Sequence, residues 1–217
     1  MEKKNVAVIG STGLIGNQLL SLLLKDNHFA DIYLITRHKL SNDAKRIKNI
    51  VIDFNNDDAF KKALSLCSVV FCSVGTTQKK VKGNLTEYRK IDYDIPVKAA
   101  QFCQENGCTT FLLVSSVGAD SKSNNFYLSL KGEVEEVVMK KEIDSISIFR
   151  PSLLLGDRKE FRLGEKISTI LMKPFTFLIP SIYKPIEASQ VARSMYQAAV
   201  LNKPGVHVYH FAEMTTS

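Results

Sequence analysis

Short apolar runs alternate along the chain with segments whose apolar positions recur every three to four residues. The runs fall at Asn5 to Ile9, Asp31 to Thr36, Asn49 to Asp53, Ser68 to Val74, Thr110 to Ser115 and Ser145 to Phe149. Helix-like stretches separate them at Leu14 to Lys25, Asp57 to Ser65, a segment ending near Asn106, and Tyr127 to Lys141. The runs are apolar at nearly every position, as expected of strands covered by helices on both faces, and strand-helix alternation makes neighbouring strands parallel. The pattern predicts an α/β fold built on a doubly wound, mostly parallel sheet. After Arg150-Pro151 it loosens, with helices expected near Gly164 to Met172 and at Ala188 to Leu201 and a strand at Val206 to Phe211. No Gly-, Ser- or Pro-rich linker and no repeat interrupts residues 1–217. One domain is expected, with residues 151–187 forming a small extension on the substrate or partner side.

With 217 residues, 45% apolar and 24% charged, the chain has the balance of a globular protein with a sizeable core. The longest apolar region, Ile167 to Ile179, is broken by Ser168, Thr169, Lys173, Pro174 and Thr176, and falls short of the roughly 20 apolar residues that span a bilayer. No membrane association is expected. Met1 to Asn5 lead directly into the first apolar run without the longer core of a signal peptide, so a cytoplasmic location is expected. Cys67, Cys72, Cys103 and Cys108 form two C-x4-C pairs with no histidine close by in sequence. That spacing suggests reduced thiols rather than a metal site, with Cys72 in a buried strand and Cys103 on a helix. The net charge of +7 is spread over small groups such as Arg37 to Lys48 and Lys79 to Lys82. Such groups suit an anionic cofactor or substrate better than nucleic acid.

The first strand runs straight into Gly10-Ser11-Thr12-Gly13-Leu14-Ile15-Gly16, which opens the first helix. Gly10 permits the tight turn, Gly13 lets the backbone approach a pyrophosphate on the helix N-terminus, and Gly16 lets helix pack on strand. A dinucleotide-binding domain of the Rossmann type is expected. The second strand ends in Thr36-Arg37-His38-Lys39 rather than in an acidic residue. Arg37 can pair a phosphate bidentately and lie on adenine, which favours NADP(H) over NAD(H). Asp53, closing the third run, is placed either to meet the adenine amino group or to cap the following turn.

Tyr127 and Lys131 are four residues apart at a helix start and share a face. A phenol near pKa 10 is ionised about one part in a thousand at neutral pH, and a neighbouring ammonium makes it a better acid. Ser115 and Ser116, at the end of the fifth strand, either hydrogen-bond a substrate carbonyl or cap the strand end.

The glycine loop, Ser115-Ser116, Tyr127-x3-Lys131 and Phe149-Arg150-Pro151 together resemble the short-chain dehydrogenase/reductase superfamily in its extended or atypical form, which includes nucleotide-sugar epimerases. Cys72 to Thr77, Ser115 to Asp120, Tyr127 to Glu135 and Phe149 to Arg158 resemble, more narrowly, the oxidoreductase family of the Tat-interacting protein. The resemblance implies that Gly10, Ser11, Thr12, Gly13, Leu14 and Ile15 wrap the pyrophosphate. It implies further that Arg37 holds the adenosine phosphate, that Gly75 and Thr76 lie beside the nicotinamide ribose, and that Arg150 and Pro151 belong to the cofactor site. Tyr127, Lys131 and Ser116 would be the catalytic trio, with Ser116 preferred over Ser115 for the small-residue turn that follows it. Asp92 stands where many superfamily members carry Asn, and only ten residues separate Ser116 from Tyr127.

The leading expectation is an NADP(H)-dependent reductase acting on a small carbonyl compound. The 67 residues after Arg150 leave little room for a sugar-nucleotide lobe. The alternatives are a non-catalytic NADP(H) sensor that meets a protein partner, or a second copy, through Ile167 to Tyr183, and an epimerase or isomerase using bound cofactor transiently.

Overall fold

The computed structural model describes residues 3–41, 44–156 and 180–216. In chain order these form β1 (Val6–Ile9), α1 (Leu14–Lys25), β2 (Ile32–Thr36), β3 (Ile47–Val51), α2 (Asp57–Leu64) and β4 (Val69–Cys72). There follow α3 (Leu85–Arg89), a π-helical turn (Lys90–Asp94), α4 (Ile95–Glu105), β5 (Thr110–Val114), α5 (Phe126–Met139) and β6 (Ser145–Phe149). The short β7 (Leu154–Leu155) and β8 (Ile186–Glu187), then α6 (Ala188–Leu201), β9 (Gly205–Tyr209) and α7 (Phe211–Thr215), complete the described chain.

Seven strands form one sheet in the order β3-β2-β1-β4-β5-β6-β9, and every pairing in it is parallel. The doubly wound sheet is therefore borne out. Strand alternation divides the core in two. Val6, Val8, Leu34 and Phe71 face Leu19 and Leu23 of α1 and Val191 and Met195 of α6. Ala7, Ile9, Val70 and Phe111 face Phe60 of α2, Phe102 of α4 and Val134 of α5. Burying apolar side chains on both faces explains why the strands lack polar alternation. The order reverses between β1 and β4, where a crevice opens beyond the carboxyl ends of the strands.

Several boundaries differ from the sequence reading, each for a local reason. β3 ends at Val51 because Asp53 accepts from Asn55 N at 3.0 Å and Asn56 accepts from Ala59 N to cap α2. β9 stops at Tyr209, and Phe211 opens α7, because Glu213 reaches back to His210 N at 2.9 Å. The helical segment ending near Asn106 contains the π turn at Lys90–Asp94. Pro96 accounts for it: in a regular α-helix its ring would meet the carbonyl of Asp92, four residues back. The parallel pair β7–β8 was not expected, since two residues per strand carry no periodicity. The helix expected near Gly164 to Met172, and the proposed contact segment from Ile167 through Phe175, Phe177, Leu178 and Ile179, lie outside the described residues. Of that segment's end, Tyr183 is exposed.

Gly16 is the tightest point of the first crossover. A Cβ there would stand 2.1 Å from Gly10 O and 2.9 Å from Ser11 Cα, both backbone, whereas a Cβ on Gly75 would meet only Asp92 Oδ1 at 3.4 Å. Helix propensity alone favours Ala at position 16 by about 1 kcal/mol, but the clash reverses the sign. Gly16→Ala is expected to lower unfolding free energy by about 2 kcal/mol, with Gly75→Ala within about 0.5 kcal/mol of wild type. Urea titration of both variants checks this; an unchanged midpoint for Gly16→Ala would contradict it.

Candidate active site

The turn between β1 and α1 is shaped for a ligand. Gly10 adopts φ +88, and a Cβ on it would lie 2.7 Å from the backbone of Ser73 and Val74. β4 can therefore sit close beside the turn only because position 10 is glycine. Gly13 starts α1 with no side-chain cap and no acidic residue in the first turn. By contrast, Asn56, Asn84 and Asn125 cap α2, α3 and α5. The first N–H groups of α1, on Leu14, Ile15 and Gly16, have no partner within the helix and carry the positive end of its dipole. Ser11 is buried, and its hydroxyl has no hydrogen-bond partner.

A cleft of about 260 Å³ runs from this turn and is lined by Gly10, Thr12, Gly13, Arg37, Gly75 and Thr76 among others. Next to it Arg37 shares a second depression with Val51, Ile52 and Asp53. Among the described residues no carboxylate lines the main cleft, while Arg37, His38 and Lys80 do. The donor set fits a dinucleotide, with the pyrophosphate on the uncapped helix start and the adenosine end toward Arg37. Asp53 lines the depression beside Arg37, and its Oδ1 accepts from both Asn55 N and Asn55 Nδ2, at 3.0 and 2.9 Å. Its turn-capping role is the one the structure displays.

Beyond Thr76 lies the second half of the site. Asp92, 1% exposed, accepts from Thr76 N at 2.7 Å through Oδ2 and pairs with Lys131 Nζ at 3.1 Å through Oδ1. Lys131 Nζ is 5.9 Å from the centroid of the Tyr127 ring. Burial pulls the Lys131 ammonium down, but the Asp92 carboxylate leads the groups that oppose it, and the group stands above the ordinary 10.5. Tyr127 is 36% exposed and within reach of a substrate from solvent. Tyr88 steadies the arrangement by donating to Thr76 O at 3.3 Å and packing edge-on against Phe126, 5.7 Å between centroids.

The two serines differ sharply. Ser115 is buried and donates to Glu135, while its backbone N–H meets Phe149 O at 2.7 Å. Ser116 is only partly buried, and its hydroxyl makes a long 3.3 Å contact with Val117 O, leaving it the freer of the two to meet a substrate. Arg150 places Nε 3.1 Å from each Glu135 oxygen, and Pro151 O accepts from Val117 N at 2.9 Å. In this structure Arg150 and Pro151 brace the Ser115–Gly118 turn. The short stretch from Ser116 to Tyr127 lies flat on α5 because Gly132 leaves room: a Cβ there would stand 2.1 Å from Ser121 N.

Three residues of this arrangement escaped the sequence reading. Asp92 was noticed only as a departure from Asn, and the Pro96 spacing was the available clue to its inward turn. Glu135, 2% exposed, reads in sequence as one more solvated charge on a helix. Gly132 inside a helical pattern was a signal of close packing.

The pattern of a family described as NAD(P)H-binding matches residues 10–171. Protein HTATIP2 of Rattus norvegicus is 38% identical over 168 residues, covering 76% of this chain and 69% of that protein. This bears out the resemblance drawn from the motifs. Protein FMP52-1, mitochondrial, of Scheffersomyces stipitis is 31% identical over 218 residues, 96% of each. Among solved structures, MoeE5 in complex with UDP-glucuronic acid and NAD superposes with TM-score 0.73 at 17% identity, over 94% of this chain and 75% of that one. WbmH of Bordetella bronchiseptica in complex with NAD+ gives 0.73 at 14% identity, over 97% and 76%. At these identities the structures speak for the fold alone. Among the described residues no helix is long and apolar enough to cross a membrane.

Removing Arg150 leaves the Glu135 carboxylate buried without its counter-charge. Arg150→Met is expected to cost about 3–5 kcal/mol of stability, and the double variant Arg150→Met/Glu135→Gln to recover part of it. Chemical denaturation of both checks the pair; a cost below about 1 kcal/mol for the single variant would contradict it.

Proposed function

Since the chain belongs to the NAD(P)H-binding family, we propose that it is an NADP(H)-dependent oxidoreductase that reduces a small carbonyl compound. One observation carries the reading. The buried Lys131 ammonium stands beside Tyr127, joined through Asp92 to Thr76 at the end of the dinucleotide cleft.

In this reading Gly10 to Gly16 hold the pyrophosphate, Arg37 the adenosine 2′-phosphate, and Gly75 and Thr76 border the nicotinamide ribose. An ammonium has three donors; one of Lys131's is engaged by Asp92, and the others serve ribose hydroxyls and the Tyr127 oxygen. Bound cofactor supplies hydride to the carbonyl carbon. Ser116 orients the carbonyl oxygen, Tyr127 gives it the phenolic proton, and solvent restores that proton. The preference for NADP(H) rests on Arg37 and on the lack of a carboxylate among the described residues that line the main cleft. We place the protein in the cytoplasm, where its four free, buried thiols stay reduced; the fungal relative is mitochondrial by name.

Tyr127→Phe is expected to abolish NADPH oxidation with small aldehydes, ketones or quinones while leaving NADPH affinity within a few fold. Turnover equal to wild type would sink the role given to Tyr127. Arg37→Ala is expected to weaken NADPH binding about 10- to 100-fold, the worth of a charged bidentate contact, and to leave NADH binding nearly unaltered. Equal losses for both nucleotides in a fluorescence titration would remove the basis for NADP(H) preference.

A further inference from the structure

Asp92 is a buried carboxylate that answers the charge of Lys131, and among the described residues the surrounding groups leave it alone in that task. On β4, burial pushes the Cys72 thiol up to about 12, so it is neutral at physiological pH. Glu135, one turn along α5, is engaged by Arg150 from the end of β6. Glu133, also on α5, pairs at 2.8 Å with Arg89 of α3, which lies over the Tyr93 ring. Tyr88 of α3 is buried and bonded to Thr76 O. Each of these groups is neutral or matched within its own pair.

From this geometry we propose, on the reductase reading above, that Asp92 is a positioning residue that sets the pH range over which the proton donor of the reaction stays protonated. By offsetting the charge of Lys131, it keeps the Tyr127 phenol protonated, and so able to give its proton to a carbonyl, up to a higher pH. The distances decide the size of the effect. The carboxylate oxygen is 3.1 Å from a nitrogen that is itself 5.9 Å from the ring centroid, so it lies at most roughly 9 Å from the ring. Opposite charges this close to each other offset one another in large part at that range, so the carboxylate weakens the ammonium's pull on the phenol. An amide at position 92 keeps the size of the side chain and an acceptor for Thr76 N, but no longer opposes the field of the ammonium at Tyr127. The same carboxylate ties the Thr76 loop to Lys131, so the cofactor wall and the proton donor are held in one register.

The sign follows directly. An acid catalyst is lost as pH rises through its ionisation, and an uncompensated cation nearby moves that ionisation to lower pH. In Asp92→Asn the alkaline limb of kcat/KM for NADPH-dependent reduction is expected to move down by about one pH unit or more. A second readout needs no turnover: the near-ultraviolet phenolate absorbance of Tyr127, isolated by subtracting the Tyr127→Phe counterpart of each protein. Its pH midpoint should fall with the kinetic limb in Asp92→Asn and return most of the way in Asp92→Asn/Lys131→Met, which removes both charges. A folded Asp92→Asn whose limb and absorbance are unmoved overturns the proposal, as does a double variant shifted as far as the single one. If Asp92→Asn does not fold, the double variant is read by itself, and a midpoint a full unit below wild type overturns the proposal. If the wild type reduces no carbonyl, the reductase reading fails separately, and the absorbance still reports whether Asp92 governs Tyr127.

Discussion

The backbone has no spare room where β1 turns into α1. Gly10 O occupies the space that any side chain at position 16 would need, and β4 fills the space beside Gly10. That contact locks β1, α1 and β4 together at the reversal of strand order. Because all seven strands of the sheet are parallel, their carboxyl ends gather on one edge. Arg37 follows β2, Ser73 to Thr76 follow β4, Ser115 and Ser116 follow β5, and Arg150 follows β6. A residue at any of these ends is near the site by topology, before its chemistry is considered.

Two buried ion pairs then convert this edge into a defined arrangement. Lys131 and Glu135 stand one turn apart on α5, so a single helix presents a cation to Asp92 and an anion to Arg150. The first pair fixes the loop after β4, and the second fixes the ends of β5 and β6 through Ser115 and Arg150. Ion pairs of this burial contribute little net stability relative to an apolar core, because desolvation offsets most of the attraction. Their value here is geometric: they hold Thr76, Lys131 and the Ser115–Ser116 turn against one helix. The same logic explains why Ser115 is bound inside the network while Ser116 stays outside it.

Much of this was readable from residue order. Strands buried on both faces leave continuous apolar runs, and a tight strand-to-helix turn leaves glycines at fixed spacing, so the sheet and the glycine turn were legible. Helix α5 was legible to within two residues, since Asn125 caps it through Tyr127 N and Leu128 N. What was hidden depends on contacts between segments distant in sequence. Nothing local to Glu135 shows that Arg150 will cover it, and nothing local to Gly132 shows that residues 118–123 will lie across it. Asp92 was hidden by a change of helical period: only the π turn, linked to Pro96, brings its carboxylate between Thr76 and Lys131. Of the two roles read for Asp53, the turn cap is the one seen, through Oδ1 and Asn55 in the turn that ends β3.

The central claim is that this edge of the sheet carries hydride chemistry and does more than hold a nucleotide. The most direct measurement follows deuterium from NADPH, labelled at the nicotinamide carbon that carries the transferred hydrogen, into products formed from small aldehydes and ketones. The account predicts label on the former carbonyl carbon, with a proton from solvent on its oxygen. Tight NADPH binding with no label in any product would contradict it, and would leave the site as a nucleotide sensor.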